Sequence, residues 1–234
     1  MGRDYSVVGR AMAAPARAAM LDALMDGSSR PAGELAGAAG IGASTASEHL
    51  GVLVDAGLVE ARTRGRHRFY RLRDASVATA LEHLGGLCPD LPTRVHRRSR
   101  EAAELAEARL CYDHLAGRLG VALTAGMRRR GWLTDELTLT DRGAEGLDGQ
   151  GIDVLALRGR RRPLTRTCLD WTERQDHLAG AVGAAVAALF LDRGWVRRRR
   201  SGRGLVITPG GLAALRETWR TEVADRPASA PARA

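Results

Sequence analysis

One stretch of this chain is written twice. "DHLAGRLGVALTAGMRRRGWL" from Asp113 and "DHLAGAVGAAVAALFLDRGWV" from Asp176 align without a gap, and Asp113 to Asp176 and Gly131 to Gly194 both span 63 positions. Each copy continues into a short β-like stretch and a glycine-led helix, "LTLTDRGAEGL" from Leu137 and "LVITPGGLAAL" from Leu205. That second offset is five residues longer, which puts an insertion in or near "RRRRSGRG". A repeated run must build the same supersecondary element twice, and such elements bury a common core when they pack on each other. Each unit is expected to run helix, Gly-Trp turn, strand, helix, with "DHLAG" as the first turn of its leading helix. The units cover about residues 101–155 and 164–223 of a C-terminal domain, 101–223, and are expected to pack about a pseudo-twofold axis. Small residues in both copies suit close helix packing, and dimerisation and effector sensing are the expected tasks.

The first third has a different pattern. Residues from about Tyr5 to Met25 form an alanine-rich helical segment split at Pro15 and stopped by "DGSSRP". "PAGELAGAA" is a short helix led by Pro31, a residue suited to the first helical turn. After the tight turn "GIGA", "STASEHLGVLVDAG" is predicted as a helix capped at Ser44 and closed at Gly57 by a left-handed residue. At 100° per residue Ala46, Leu50, Leu53 and Val54 share one face, while Ser44, Ser47 and Glu48 point away. Two short strands, "LVEART" and "HRFYRL", follow around Gly65 in the turn "RGR". This is a helix-turn-helix with a basic β-hairpin. Short hydroxylated side chains let a helix sit deep in the major groove of duplex DNA, and hairpin arginines meet phosphate or the minor groove. The alternative is a Ser44 that only caps and a hairpin whose arginines are only solvated. The predicted class is α+β, mainly α with short β-hairpins: an N-terminal winged helix-turn-helix at 1–87, a linker at 88–100, two repeats like the back half of a winged helix, and a disordered tail at 224–234.

"GELAGAAGIGASTASEHLGVLVDAGLVEARTRGRHRFYRL", residues 33 to 72, resembles the DNA-binding core of the arsenic-repressor (ArsR/SmtB) family of bacterial winged-helix regulators, with the likeness running from about residue 7 to 85. The resemblance implies a homodimer, paired through the first helix and the helix after the wing, that represses a promoter until an effector releases it. It places the DNA-reading helix on Ser44, Thr45, Ser47, Glu48 and His49, and the wing on Arg64, Gly65, Arg66 and His67. Glu48 either accepts a hydrogen bond from cytosine N4 or is a solvent-facing acid that trims non-specific affinity. His49 lies towards the buried flank, where packing and a hydrogen bond are expected in place of base reading. Metal sensors of the family often carry paired cysteines near the reading helix or ligands on the helix after the wing. This chain has no cysteine before Cys88, and "HLGGLC" at His83 to Cys88 is no strong ligand pattern.

The net charge of +9 points to a polyanionic partner or an acidic membrane surface, with double-stranded DNA the expected partner, although a lysine-free, arginine-rich composition also follows from a GC-rich genome. Three cysteines, Cys88, Cys111 and Cys168, with no C-x-x-C, argue against a secreted disulfide scaffold. No stretch approaches the roughly 20 apolar residues needed to span a bilayer, so no membrane partner and a cytoplasmic location are expected. If the two units face each other, Cys111, His114, Cys168 and His177 approach a Cys2His2 site for zinc or another thiophilic metal. The same residues can equally be core. A small-molecule pocket between the units is a further alternative, with Tyr112 and Trp171 as its aromatics. Trp132 and Trp195 are expected as core plugs. Arg197 to Arg200, with Arg203, either hold phosphate or an anionic ligand or form a solvated hairpin. No cofactor is expected to be required for DNA binding. The chain lacks G-x-G-x-x-G, a Walker loop, G-x-S-x-G and H-E-x-x-H, so an enzyme is not expected. The alternatives to an effector-released repressor are a sequence-tolerant architectural DNA binder and a metal- or thiol-responsive sensor using Cys111 and Cys168.

Overall fold

A computed structural model describes residues 4–65, 67–88, 103–199 and 203–223. The linker beyond Cys88 and the tail at 224–234 therefore lie outside the described residues, as do Arg66 and Arg200. In the N-terminal part, α1 (Tyr5–Met12) and α2 (Pro15–Leu24) are separated where Pro15 opens a new first turn. Strand β1 (Arg30–Pro31) leads into α3 (Ala32–Ala39), and α4 (Ala43–Asp55) follows across the turn. Strands β2 (Val59–Arg64) and β3 (His67–Leu72) pair antiparallel from Val59↔Leu72 to Arg64↔His67. Strand β1 adds to the other edge of β3 through Arg30↔Tyr70, and α5 (Ala75–Gly85) closes the unit. Met20, Leu21, Leu24, Leu35, Leu50, Leu53 and Leu72 are buried together as its core.

The cap of α4 differs from the sequence expectation. Gly42 is the capping residue, in an extended conformation and with no side-chain bond, so the helix already runs at Ala43 and Ser44 is its second residue. The Ser44 hydroxyl is thus not spent on the helix end, and its side chain is exposed.

The second half opens with a helical turn at 103–107 and a hairpin, β4 (Arg109–Cys111) with β5 (His114–Ala116). Then come α6 (Gly117–Arg129), α7 (Asp141–Asp148) and α8 (Val154–Arg158). The second copy repeats the plan with β6 (Arg166–Leu169), β7 (Asp176–Ala179), α9 (Gly180–Asp192), the hairpin β8 (Val196–Arg198) and β9 (Leu205–Ile207), and α10 (Pro209–Glu217). Here too the expectation is corrected, because "DHLAG" is strand and corner and not the first turn of a helix. Its His-Leu-Ala is held by the antiparallel partner, Arg109↔Ala116 in one copy and Arg166↔Ala179 in the other. The glycine then swings the chain into the helix at positive φ, 73° at Gly117 and 87° at Gly180. A Cβ at Gly117 would lie 2.7 Å from the Ala106 carbonyl oxygen, and one at Gly180 2.9 Å from that of Leu164.

The copies are equivalent in detail and pack reciprocally. Thr140 accepts from the Gly143 N–H (2.9 Å) at the start of α7, and Thr208 accepts from the Gly211 N–H (3.1 Å) at the start of α10. Gly120 of α6 lies against the Cβ of His177, while Gly183 of α9 lies against that of His114. The Leu178 N–H donates to Thr124 Oγ1 (2.9 Å) across the same seam. The first hairpin also joins the second copy, as the Leu110 N–H donates to the Arg203 carbonyl (2.9 Å) and the Leu205 N–H to that of Ala108 (2.8 Å). Trp219, fully buried, meets Trp132 and Phe190 in the shared core, and Trp195 is half-buried beside Phe190. Cys111, Ala116, Cys168 and Ala179 belong to the other apolar cluster, that of the winged helix, so the hairpins carry its core onward.

Candidate functional site

Helix α4 buries Ala46, Leu50 and Leu53 and exposes Ser44, Thr45, Ser47 and Glu48 at its leading end. Its short side chains leave an open polar face, with the Ser47 hydroxyl donating back to the Ala43 carbonyl (3.1 Å). His49 is half-buried, and its Nδ1 lies 3.0 Å from the Arg17 guanidinium. A guanidinium only donates, so Nδ1 accepts and the ring is turned to α2 instead of outward. At the tip of the wing Arg64 and Gly65 are exposed and His67 opens β3. Arg66 lies outside the described residues.

The second site is the cluster at the seam of the repeats. Cross-strand pairing sets Cys111 opposite His114 and Cys168 opposite His177. The two histidines are 63 residues apart but the two cysteines 57, so the second hairpin has six more residues between its cysteine and histidine, two of them an added strand pair, without disturbing the pairing. The hairpins bring Cys111 Sγ within 3.9 Å of Cys168 Sγ, and His114 Nε2 within 3.1 Å of His177 Nε2. One ligand atom from each of the four lies within 4.8 Å of every other, and all four residues are buried. A carboxylate stands behind each imidazole. Asp113 Oδ1 is 3.4 Å from His114 Nδ1, and Asp170 Oδ2 is 3.8 Å from His177 Nδ1, which has no hydrogen-bond partner. The hydrogen bond with Cys168, then burial, push the Cys111 thiol up to about 12. Burial disfavours a charged His114, but hydrogen bonds to Asp113 and Cys111 outweigh it and raise the ring to about 9.

The aromatic residues expected beside this cluster point elsewhere. The Tyr112 N–H donates to the Met25 carbonyl (2.5 Å) and its ring approaches Gly27, while Trp171 packs on Gly85 and Gly86 at the end of α5. Among the described residues, the gap between the copies lined by Leu115, Gly120, Leu123, Thr124, Leu178 and Gly183 holds no more than about one water. That gap has no room for a small molecule, whereas an open cleft of about 260 Å³ is lined by Ala125 and Arg128 of one copy and Arg174 and Gln175 of the other.

A buried ionic network, invisible in the sequence, ties this half to the winged helix. Arg109 donates to Glu82 of α5 (2.7 Å) and to Asp170 (3.0 Å), and all three side chains are wholly inaccessible. Arg203 donates to Glu82 (3.0 Å) and reaches Asp22 of α2 (3.2 Å). Burial opposes ionisation of Glu82, but Arg203 and Arg109 hold its carboxyl below the usual range. Burial likewise opposes ionisation of Asp170, yet Arg109, Thr172 and the Gly117 N–H lower it to about 2. Arg198 pairs with Asp26 (3.2 Å) and Arg199 with Glu104 (3.2 Å). Arg199 and Arg203 are thus engaged within the protein, whereas Arg198 stays 47% exposed beside Asp26 and Arg197 is exposed. The nearest sequence signal was the arginine just upstream of each cysteine, Arg109 and Arg166, which recurs with the repeat.

A helix-turn-helix domain family matches residues 12–62. A Bacillus subtilis (strain 168) protein named as an uncharacterized HTH-type transcriptional regulator, YdfF, is 37% identical over 226 residues, 95% of this chain and 100% of that protein. The chain belongs to the HTH-type transcriptional regulators of the ArsR/SmtB family. The similarity to YdfF runs through the duplicated half of the regulator as well as its winged helix. The HTH-type transcriptional regulator CmtR of Mycobacterium tuberculosis (strain ATCC 25618 / H37Rv) is 44% identical over 77 residues, 33% of this chain and 64% of that protein. Among solved structures, the homodimeric winged helix-turn-helix DNA-binding domain Mb0332 of Mycobacterium bovis, described as a possible ArsR-family regulator, is 30% identical and covers 43% of this chain and 82% of its own, with a TM-score of 0.32. No described helix of the regulator is long and apolar enough to cross a membrane.

Proposed function

We propose that this regulator is a homodimeric, sequence-specific repressor acting in the cytoplasm, which binds an inverted repeat in duplex DNA and is released by an effector acting on its duplicated half. The observation that carries the reading is α4, packed by Ala46, Leu50 and Leu53 and presenting Ser44, Thr45, Ser47 and Glu48 to solvent. A helix with that outer face enters the major groove without steric conflict, and the wing supplies Arg64 for the flanking backbone. Paired copies are supported by α1, which leaves Tyr5 77% and Val7 44% exposed. Two such helices, one from each copy, bury apolar surface that a monomer leaves in water.

The test replaces Ser44 and Thr45 together with glutamate and measures binding to the inverted repeat by fluorescence anisotropy. Carboxylates at the groove floor repel phosphate and abolish specific binding, while the unfolding midpoint stays within error because both side chains are exposed. Retained operator affinity sinks the assignment of α4. Wild-type affinity that follows salt but hardly changes with site sequence identifies an architectural binder instead.

A further inference from the structure

We propose that Cys111, His114, Cys168 and His177 form a tetrahedral site for one zinc-class divalent cation, bound by two thiolates and two neutral imidazoles. The site lies outside the winged helix, and its test reads metal and not operator binding, so it stands or falls apart from the repressor reading.

Geometry carries the inference. With Zn–S bonds of about 2.3 Å and Zn–N bonds of about 2.0–2.1 Å, a tetrahedral ion sets its sulfurs about 3.8 Å apart and its imidazole nitrogens about 3.3 Å apart. The structure has 3.9 Å between the Sγ atoms and 3.1 Å between the Nε2 atoms. Both imidazoles turn Nε2 inward and Nδ1 towards a carboxylate, Asp113 for His114 and Asp170 for His177. That is the arrangement in which an outer carboxylate fixes the tautomer of a metal-bound histidine. The unpartnered Nδ1 of His177 gains its role here, as the N–H directed at Asp170 when Nε2 donates its lone pair to the ion.

Charge balance agrees. Binding M²⁺ releases the two thiol protons, and the proton that His114 carries when charged, to solvent, and the cation with two thiolates and two neutral imidazoles leaves a neutral centre, which a site closed to water accommodates best. Packing alone explains buried cysteines, but not two imidazoles facing each other across the seam of the repeats. The duplication is a second, independent observation. Each copy contributes one cysteine and its cross-strand histidine, and that pairing is kept although the chain between cysteine and histidine is six residues longer in the second hairpin.

The full-length protein is purified under reducing conditions from zinc-supplemented cells, and its metal content is measured by inductively coupled plasma mass spectrometry. Close to one equivalent of zinc per chain is expected in the wild type and in Cys88→Ser, whose cysteine is exposed, with loss in Cys111→Ser and in His177→Gln. Cobalt(II) added to chelator-stripped wild type should give the visible bands of a tetrahedral ion and a near-ultraviolet thiolate charge-transfer band. Asp113→Asn should weaken zinc roughly 10- to 100-fold in competition with a chromogenic chelator, the usual effect of losing an outer carboxylate. The wild-type result decides even if a ligand variant fails to fold. Reduced wild type that takes up neither zinc nor cobalt overturns the site. A Cys111–Cys168 disulfide with no metal, in protein prepared without reductant, overturns it in favour of a redox pair.

Discussion

Glu82→Gln is the most informative single change outside the two candidate sites, because it removes one charge from a balanced buried set and almost no volume. Arg109 and Glu82 have no side-chain exposure, Arg203 has 6%, and Asp170 has none, so two guanidiniums face two carboxylates away from water. In the variant both guanidiniums keep only Asp170 and the more exposed Asp22 as anionic partners. The new amide nitrogen also points a donor at groups that can only donate. Removing one partner of a buried pair costs about 3–5 kcal/mol. For a protein of this length each kcal/mol is worth about 2–4 °C in Tm, so the midpoint should fall by roughly 6–20 °C. Calorimetry and urea titration followed by circular dichroism both read it. The pH dependence provides a second criterion. The Glu82 carboxyl is held below its ordinary value in the folded protein, so its contribution is fully present above the unfolded-state pKa and is lost as pH falls through the folded one. The gap between wild type and variant should therefore be widest near neutrality and close as the solution is acidified below the usual carboxylate range. A loss under about 1 kcal/mol at neutral pH, or a gap that acid leaves unchanged, refutes the claim that this network is buried and ionised.

Two further changes test the duplicated core. Thr140→Ala and Thr208→Ala each remove an equivalent helix cap and should each cost about 0.5–2 kcal/mol in urea unfolding. Trp219→Ala empties the contact with Trp132 and Phe190 at a fully buried site, and a loss of about 3–5 kcal/mol is expected by calorimetry. A loss below 1 kcal/mol would mean that Trp219 is not packed as the structure has it.

The winged helix was legible because local terms and tertiary packing agree along it. Pro15 splits α1 from α2, the apolar face of α4 repeats at helical spacing, and "RGR" sits between two alternating strands, so each residue favours the element it ends up in. Strand β1 was missed because a two-residue strand has no periodicity, and only the edge of β3 makes Arg30 and Pro31 extended. "DHLAG" misled for a related reason. Leucine, alanine and the helix that follows favour a helical reading, but pairing of His114 with Cys111 and of His177 with Cys168 decides the backbone. The convergence of the four ligands was suspected only through the repeat, since spacings of three residues in one copy and nine in the other look unrelated until both are seen as the two sides of a hairpin. The buried ionic network left no one-dimensional trace. Glu82 and Arg203 are 121 residues apart, and a charged residue in a sequence reads as solvated until a partner is in place.

The same geometry makes the hairpins and the winged helix hard to move independently. Arg109 and Cys111 are two residues apart on β4 and so share a face. Asp170 follows Cys168 by two residues at the end of β6 and binds Arg109. A shift that parts Cys111 from Cys168 therefore draws Arg109 away from Asp170 or from Glu82, and Glu82 is part of α5. The Arg203 to Asp22 pair adds a hold on α2, the helix whose Arg17 positions His49 of α4. Allosteric coupling typically needs about 1–3 kcal/mol between sites, and uncovering one buried charge in this chain of contacts costs about 3–5 kcal/mol. A change at the seam of the repeats that displaces either arginine therefore disturbs the contacts of α5 and α2 as well, and the structure resists it by more than typical coupling between sites.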